Sequence, residues 1–294
     1  MLYKGKKLIL DSFRTVLSDY SIDVQDVVRS AILDDVDISS YIPSCKDNPY
    51  RLDQIRLCIK EGMPEEILRL YNGSAIYQIR TLKADGVDLT PVVKQLSRGN
   101  LQDTYLLYLL GWIKDGLNIS KLNIAIIPQQ LLPTFDYGLR CGFDMSKYNN
   151  GRSYSPQYIS LLLQIEKNKK SVSSLLSGEW SLDILEVLSS FSKTSDSRWE
   201  NLISNIDSKI SKGRLEKLIS LEKQGIDVSG VQRKSNGIYV LSDKCLDLVL
   251  QAYSRRLNYK LLIEQATSEE DMQDMIDRME VVNRTRVGGR IRRY

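Results

Sequence analysis

The chain has 294 residues, 42% of them apolar and 27% charged, and a net charge of +4. That is enough apolar side chain for a substantial core, and too mild a charge to imply nucleic acid by itself. There is no histidine, which removes imidazole acid–base catalysis, Ser-His and Cys-His nucleophile activation, and every zinc site that needs imidazole.

The start, Met1 to Leu10, is basic and then briefly apolar, and Asp11 and Arg14 interrupt it too early for a signal peptide. No run approaches the roughly 18 apolar residues of a membrane span. A soluble, cytoplasmic protein with no membrane partner is expected. Residues 1–34 read as an N-terminal helical cap of two helices. Leu8, Ile9, Phe13, Val16 and Leu17 form one apolar face, and Val24, Val27, Val28, Ala31 and Ile32 the other. Ser21 and Asp23 are N-cap candidates for the second helix.

Residues 35–168 read as helical repeats. Gly86-Val87-Asp88-Leu89-Thr90 returns at Gly116 to Ser120, Gly142 to Ser146 and Gly225 to Ser229, and Asp35 to Ser39 is a copy without the glycine. Each copy closes an apolar helical run. Glycine suits the left-handed residue that ends a helix, and the apolar residue after it packs back on the last turn. Asp88, Asn118, Asp144 and Asp227 suit a tight turn. Thr90, Ser120, Ser146 and Ser229 are expected to cap the following helix, with Pro91 at its first position. The period is about 24 to 30 residues, in the solenoid range. Tyr41 to Gln54 and Tyr148 to Pro156 read as loops.

Residues 169–282 read as degenerate repeats and C-terminal helices. The glycine joint is lost from about 169 to 213, although Leu182 to Leu188 and Trp199 to Ile206 keep a helical period. Gly237 to Leu241 reads as a loop leading into a helix from Asp243 to Leu257. A last helix is expected from Ser268 to about Val282, with Asp271 completing a weak capping box. Residues 283–294 form a basic tail in which Arg284, Arg286, Arg290, Arg292 and Arg293 have no acid among them. Such a segment is either an electrostatic handle for phosphates or an acidic protein face, or a flexible solubilising tail.

No site chemistry stands out. Cys45, Cys58, Cys141 and Cys245 are scattered without a Cys-x-x-Cys and read as free thiols. Asp35 to Ser39 opens like a calcium loop, but Ser40 and Lys46 stand where glycine and glutamate are needed. Phosphate-loop, dinucleotide and nucleophile-elbow motifs are absent from the sequence. Tyrosine is abundant, with 16 residues against four phenylalanines. Tyr71, Tyr77, Tyr105, Tyr108, Tyr137, Tyr148, Tyr154 and Tyr158 are either interface anchors or core-edge residues with a wet hydroxyl. No cofactor and no enzymatic activity are expected.

Asp37-Ile38-Ser39-Ser40-Tyr41, Asn48-Pro49-Tyr50, Asp53 to Leu57 and Gly62 together resemble a short repeat. Its idealised form reads Leu-Asp-Val-Ser-x-Tyr-Ala-x-Pro followed by Gln-Met-x-x-Ile-Arg-x-Gly-Leu-x-x-Gly. Phe143 to Tyr148 and Tyr154 to Ile159 resemble it again. The repeat occurs in phage and mobile-element proteins of gut Firmicutes, often as an accessory array. The likeness lies mainly over 31–165 and departs at Met63-Pro64, which replaces the Asp-Val-Ser turn. The expected fold is all-α, an irregular helical-hairpin repeat array of α-solenoid type. The resemblance implies a non-enzymatic, protein-binding repeat protein whose partner is a host protein or ribonucleoprotein complex in the cytoplasm of a bacterial host. By analogy it would inhibit a host defence complex, in the anti-CRISPR manner, by steric occlusion. The alternative is a nucleic-acid-binding protein that uses the arginine-rich C-terminus.

Overall fold

One way of ending a helix recurs eight times among the described residues. Asp35, Gly62, Gly86, Gly116, Gly142, Lys169, Gly225 and Arg256 each follow a last helical turn with a left-handed backbone. The N–H of that residue donates to the carbonyl three positions back, and the next N–H to the carbonyl five back. Val87 to Leu82 and Leu257 to Ala252 are both 2.9 Å. Two carbonyls that a helix end would leave open are thereby satisfied. A Cβ added to any of the five joint glycines would meet no atom within 4 Å, so backbone conformation alone selects glycine there.

The structure, a computed structural model, describes residues 17–98, 101–232, 234–235, 238–239 and 241–290. The helix that ends at Lys167 closes in this same way. Lys169 takes the glycine's left-handed place, and Lys170, at the position that is apolar in the other seven joints, is buried at 6% exposure. From Lys169 to Gly225 is 56 residues, two periods, and the helix ending at Phe191 between them closes without a left-handed residue.

The chain divides after Pro156 into two compact units, and their regular structure among the described residues is helical save for one two-residue β-ladder. The first unit holds α1 (Ile22–Asp34), α2 (Pro49–Lys60), α3 (Glu65–Leu68), α4 (Gly73–Ala84), α5 (Thr90–Leu96), α6 (Asp103–Lys114) and α7 (Leu132–Arg140). α1 packs on α2, α2 on α4, α4 on α6 and α6 on α7, while α3 packs on α5. The second unit holds α8 (Pro156–Lys167) from its second residue on, then α9 (Ser173–Ser177), α10 (Leu182–Phe191) and α11 (Asp196–Ser204). α12 (Lys212–Lys223), α13 (Asp243–Ser254), α14 (Tyr259–Gln265) and α15 (Glu269–Arg290) complete it. There α10 packs on α12, α12 on α13 and α13 on α15.

Ile76 and Ile79 of α4, Leu109 and Trp112 of α6, Phe135 of α7 and Leu215 and Leu218 of α12 are almost fully buried. Each such side chain stabilises the fold by about 1.5–3 kcal/mol. Polar side chains then tie several of the long helices to the next one. Arg56 pairs with Asp34, and Arg80 with Glu61, holding the Glu61 carboxyl below its ordinary range. Trp112 donates to Asp136 at 2.9 Å, and Arg140 pairs with Asp115 at 2.7 Å. In the second unit Ser189 donates to Gln164 at 2.9 Å, Lys217 pairs with Asp247 at 2.6 Å and Arg255 pairs with Glu280. Two arginines at the third position of their helices are buried. Arg51 donates to the carbonyls of Leu70 and Ser44 at 2.7 and 3.2 Å, and Arg214 to that of Leu241 at 3.1 Å and to Asp243 at 2.8 Å.

Several expectations change. The serines and threonines of the joints do not cap the next helix through their oxygens. They donate, and the residue two before them accepts. Asp88 Oδ1 takes both the N–H and the hydroxyl of Thr90, at 2.9 and 2.7 Å, and Asp144 does the same for Ser146 at 3.1 and 2.6 Å. A carboxylate is the stronger acceptor, and the two-residue spacing closes an Asx turn. Thr90 is thus the first residue of α5 and Pro91 the second. The Tyr41 to Gln54 stretch is less a loop than expected, since 3-10 turns at Ser39–Tyr41 and Pro43–Cys45 precede α2. Ile238–Tyr239 does find a strand partner, Lys234–Ser235, in an antiparallel pair. Ser21 caps α1 by accepting from Val24 at 3.3 Å, whereas the helix expected before it lies outside the described residues, apart from Leu17. At α15 Asp271 accepts from Thr267 at 3.0 Å while its own N–H donates to Ser268 at 3.1 Å, a capping box shifted by one residue. That helix runs on past Val282 to Arg290.

Candidate interaction face

Counting back from each joint gives the long helices a common register. The positions nine and five residues before the left-handed residue fall one turn apart on one side of each helix. In α4 and α6 the first position holds Tyr77 and Leu107, and in α7 the second holds Tyr137. These three are 51%, 64% and 54% exposed. The same positions in the second unit hold Ser160 and Gln164, Glu216 and Ser220, and Asp247 and Gln251. Solvated side chains are what such positions ordinarily carry. The central helices of the first unit depart from that.

Around the three anchors the chemistry is mixed. Thr81 stands one turn beyond Tyr77, Gly111 one turn beyond Leu107, and Pro133 one turn before Tyr137. A hollow of about 460 Å³ opens beside Tyr77, lined by Glu61, Arg80, Thr81, Lys83 and Ala84. The Lys83 ammonium reaches the Glu61 carbonyl at 2.8 Å. At Tyr137 a hydrogen bond with the Cys141 side chain pushes the phenol above its ordinary pKa. Aromatic and aliphatic groups held on packed helices lose little freedom when covered. The arrangement therefore suits a protein surface.

The other tyrosines divide by what their hydroxyls meet. Tyr105 donates to the Ile127 carbonyl at 2.8 Å and Tyr158 to that of Leu175 at 3.2 Å. Tyr148 and Tyr154 are buried edge to face, 6.5 Å between centroids, and Tyr108 tilts against Trp112 at 5.8 Å. Tyr71 is exposed over the Arg51 guanidinium, 5.2 Å from its ring centroid, at a hollow of about 540 Å³ that includes Leu96, Leu101 and Leu106. Of the cysteines, Cys45, Cys58 and Cys245 are buried and Cys141 is exposed. Burial pushes the Cys58 thiol up to about 12.

Of the arginines singled out in the sequence, Arg284, Arg286 and Arg290 sit on the helical backbone at the end of α15, and Arg292 and Arg293 lie outside the described residues. Met272 and Ile276 of α15 are buried, and Val281 and Val282 are exposed. Among the described residues no helix is long and apolar enough to cross a membrane. No protein-family model, curated protein or solved structure matches the chain.

Proposed function

We propose that this chain is a non-enzymatic helical-repeat protein that docks on another protein through the exposed side of α4, α6 and α7. The observation that carries this is the contrast in chemistry at equivalent positions. Tyr77, Leu107 and Tyr137 are exposed where the second unit has serine, glutamine, glutamate and aspartate. A tyrosine buried at the centre of an interface is among the residue types that reach about 2 kcal/mol or more. The side-chain ties between successive helices support an irregular α-solenoid-like array, since nearest-neighbour bonding is how such arrays hold together. The likeness of the repeat to those of mobile-element proteins supports a host complex as the partner, and occlusion of a defence complex is the specific form of that reading.

The test is capture from a bacterial host lysate with the full chain, compared with a Tyr77→Ser, Leu107→Ser, Tyr137→Ser variant of unchanged helical content. The protein partner should be retained by the first and lost by the second. Equal capture by both would sink the reading.

A second reading has its own support. α15 begins with Glu269, Glu270 and Asp271, and Arg284, Arg286 and Arg290 lie on its helical backbone toward the other end. Such an end suits phosphates or an acidic protein surface. Binding of nucleic acid that falls steeply with salt, and disappears on removal of residues 283–294, is the outcome that would favour it.

A further inference from the structure

We infer that the face on α4, α6 and α7 is built to receive a second copy of this chain. The inference rests on the reading of that face as a docking surface and names what covers it in the free protein, before a host partner displaces it. Asp103, Leu107, Gly111 and Lys114 follow one another along one side of α6 at i, i+4, i+8 and i+11. The three side chains among them are exposed.

Gly111 is the first observation. It lies in the third turn of a 12-residue helix, and a Cβ placed on it would meet nothing within 4 Å. Its φ is not positive, so no turn requires it, and no neighbour among the described residues needs the space. A glycine inside an exposed helix weakens that helix relative to alanine. Bare backbone at that point allows another helix to approach closely.

The two charges are the second. Asp115 is occupied by Arg140, but Asp103 and Lys114 have no ion-pair partner among the described residues. They stand about 16 Å apart along the helix axis, at opposite ends of the Leu107 and Gly111 strip. Set antiparallel on a copy of itself, about a two-fold axis crossing α6 between Leu107 and Gly111, this strip is self-complementary. Asp103 of each copy meets Lys114 of the other, and each Leu107 lies against the other's bare strip at Gly111. α6 packs against both α4 and α7, which brings Tyr77 and Tyr137 of both copies to the same interface.

The experiment is sedimentation equilibrium of the full chain over a concentration series. A reversible dimer is expected. Gly111→Arg should give a monomer of unchanged helical content. Asp103→Lys and Lys114→Asp should each raise the dissociation constant about tenfold or more, because every pair becomes like-charged. Mixing those two variants should restore a dimer, since one then carries two cations and the other two anions. The mixing result stands even if Gly111→Arg fails to fold. A monomer at every concentration overturns the inference, and so does a dimer indifferent to Gly111→Arg and to both reversals. A monomeric chain whose capture of a lysate protein still depends on Tyr77, Leu107 and Tyr137 overturns the dimer and leaves the docking reading in place.

Discussion

The joints with side chains in the left-handed region offer the sharpest test of the fold. Lys169 and Arg256 have φ of 61° and 57°. A Cβ in that conformation costs about 1–2 kcal/mol, because it crowds the following carbonyl. Glycine removes the clash but brings back about 0.5–1 kcal/mol of freedom in the unfolded chain. Lys169→Gly and Arg256→Gly should therefore each stabilise by about 0.5–1 kcal/mol. No hydrogen bond or ion pair of either side chain is lost with them, among the described residues. With no shared partner the two gains should add. Asp35→Gly should gain less, since a short polar side chain tolerates the left-handed region better. The reverse change, Gly86→Ala, should lose about the same amount, with no clash to complicate it because that Cβ would meet nothing. Urea unfolding followed by far-ultraviolet circular dichroism reads all four as shifts in midpoint at constant slope. If Lys169→Gly and Arg256→Gly leave the midpoint unchanged or lower it, the helix-ending device does not operate at those residues.

Acid should weaken the joints. Donation by the Ser or Thr hydroxyl and the backbone holds the Asp37, Asp88 and Asp144 carboxyls below their ordinary range, and the Ser229 amide followed by its hydroxyl does the same for Asp227. A depressed carboxyl stabilises above the unfolded value of about 3.9 and loses that contribution as pH falls through the folded value. The urea midpoint should thus drop below about pH 4, and Asp→Asn at these four positions, which imitates Asn118, should flatten that drop. An equally steep acid limb in the quadruple variant would place the sensitivity elsewhere. Arg51→Lys should cost about 2–3 kcal/mol, because an ammonium cannot reach the Leu70 and Ser44 carbonyls together, and an unchanged thermal midpoint would contradict the bonding described. At the joint after α8, Lys170→Met should be neutral or stabilising by up to about 1 kcal/mol, since it places an apolar group where the other joints have one. Lys170 pairs with Asp196, so Asp196→Ala should instead lower the urea midpoint by leaving the buried ammonium unpaired. A loss on Lys170→Met larger than that on Asp196→Ala would mean that the ammonium is needed for more than its pair.

Glycine made the joints visible in the sequence, because few other residues are comfortable there. Lys169 and Arg256 escaped notice for the same reason: the bonds that define a joint are made by backbone, and a side chain can be forced into place at a cost no sequence pattern records. The exchange of roles between Asp88 and Thr90 was hidden because serine and threonine cap helices well in isolation, and only geometry shows who donates. The length of α15 was legible in principle. Acids over its first turns and cations over its last are the charge order a helix dipole favours, and Arg284, Arg286 and Arg290 complete that order. The docking face is a different case. Composition cannot separate Tyr77 from Tyr154, one exposed and one buried. Counting from the joint glycines can, once each long helix is known to bury the same sides.

The ties between successive helices have a consequence for how the chain is made. Glu61 and Arg80 are 19 residues apart, and Lys217 and Asp247, the widest of the pairs named here, are 30 apart. Contacts so local are formed quickly, with little loop to close. A chain leaving the ribosome would have the partner for each of these ties within about 30 further residues of synthesis, so that order can grow from the N-terminus as translation supplies it. Truncation from the C-terminal side should then leave the remaining helices with their partners.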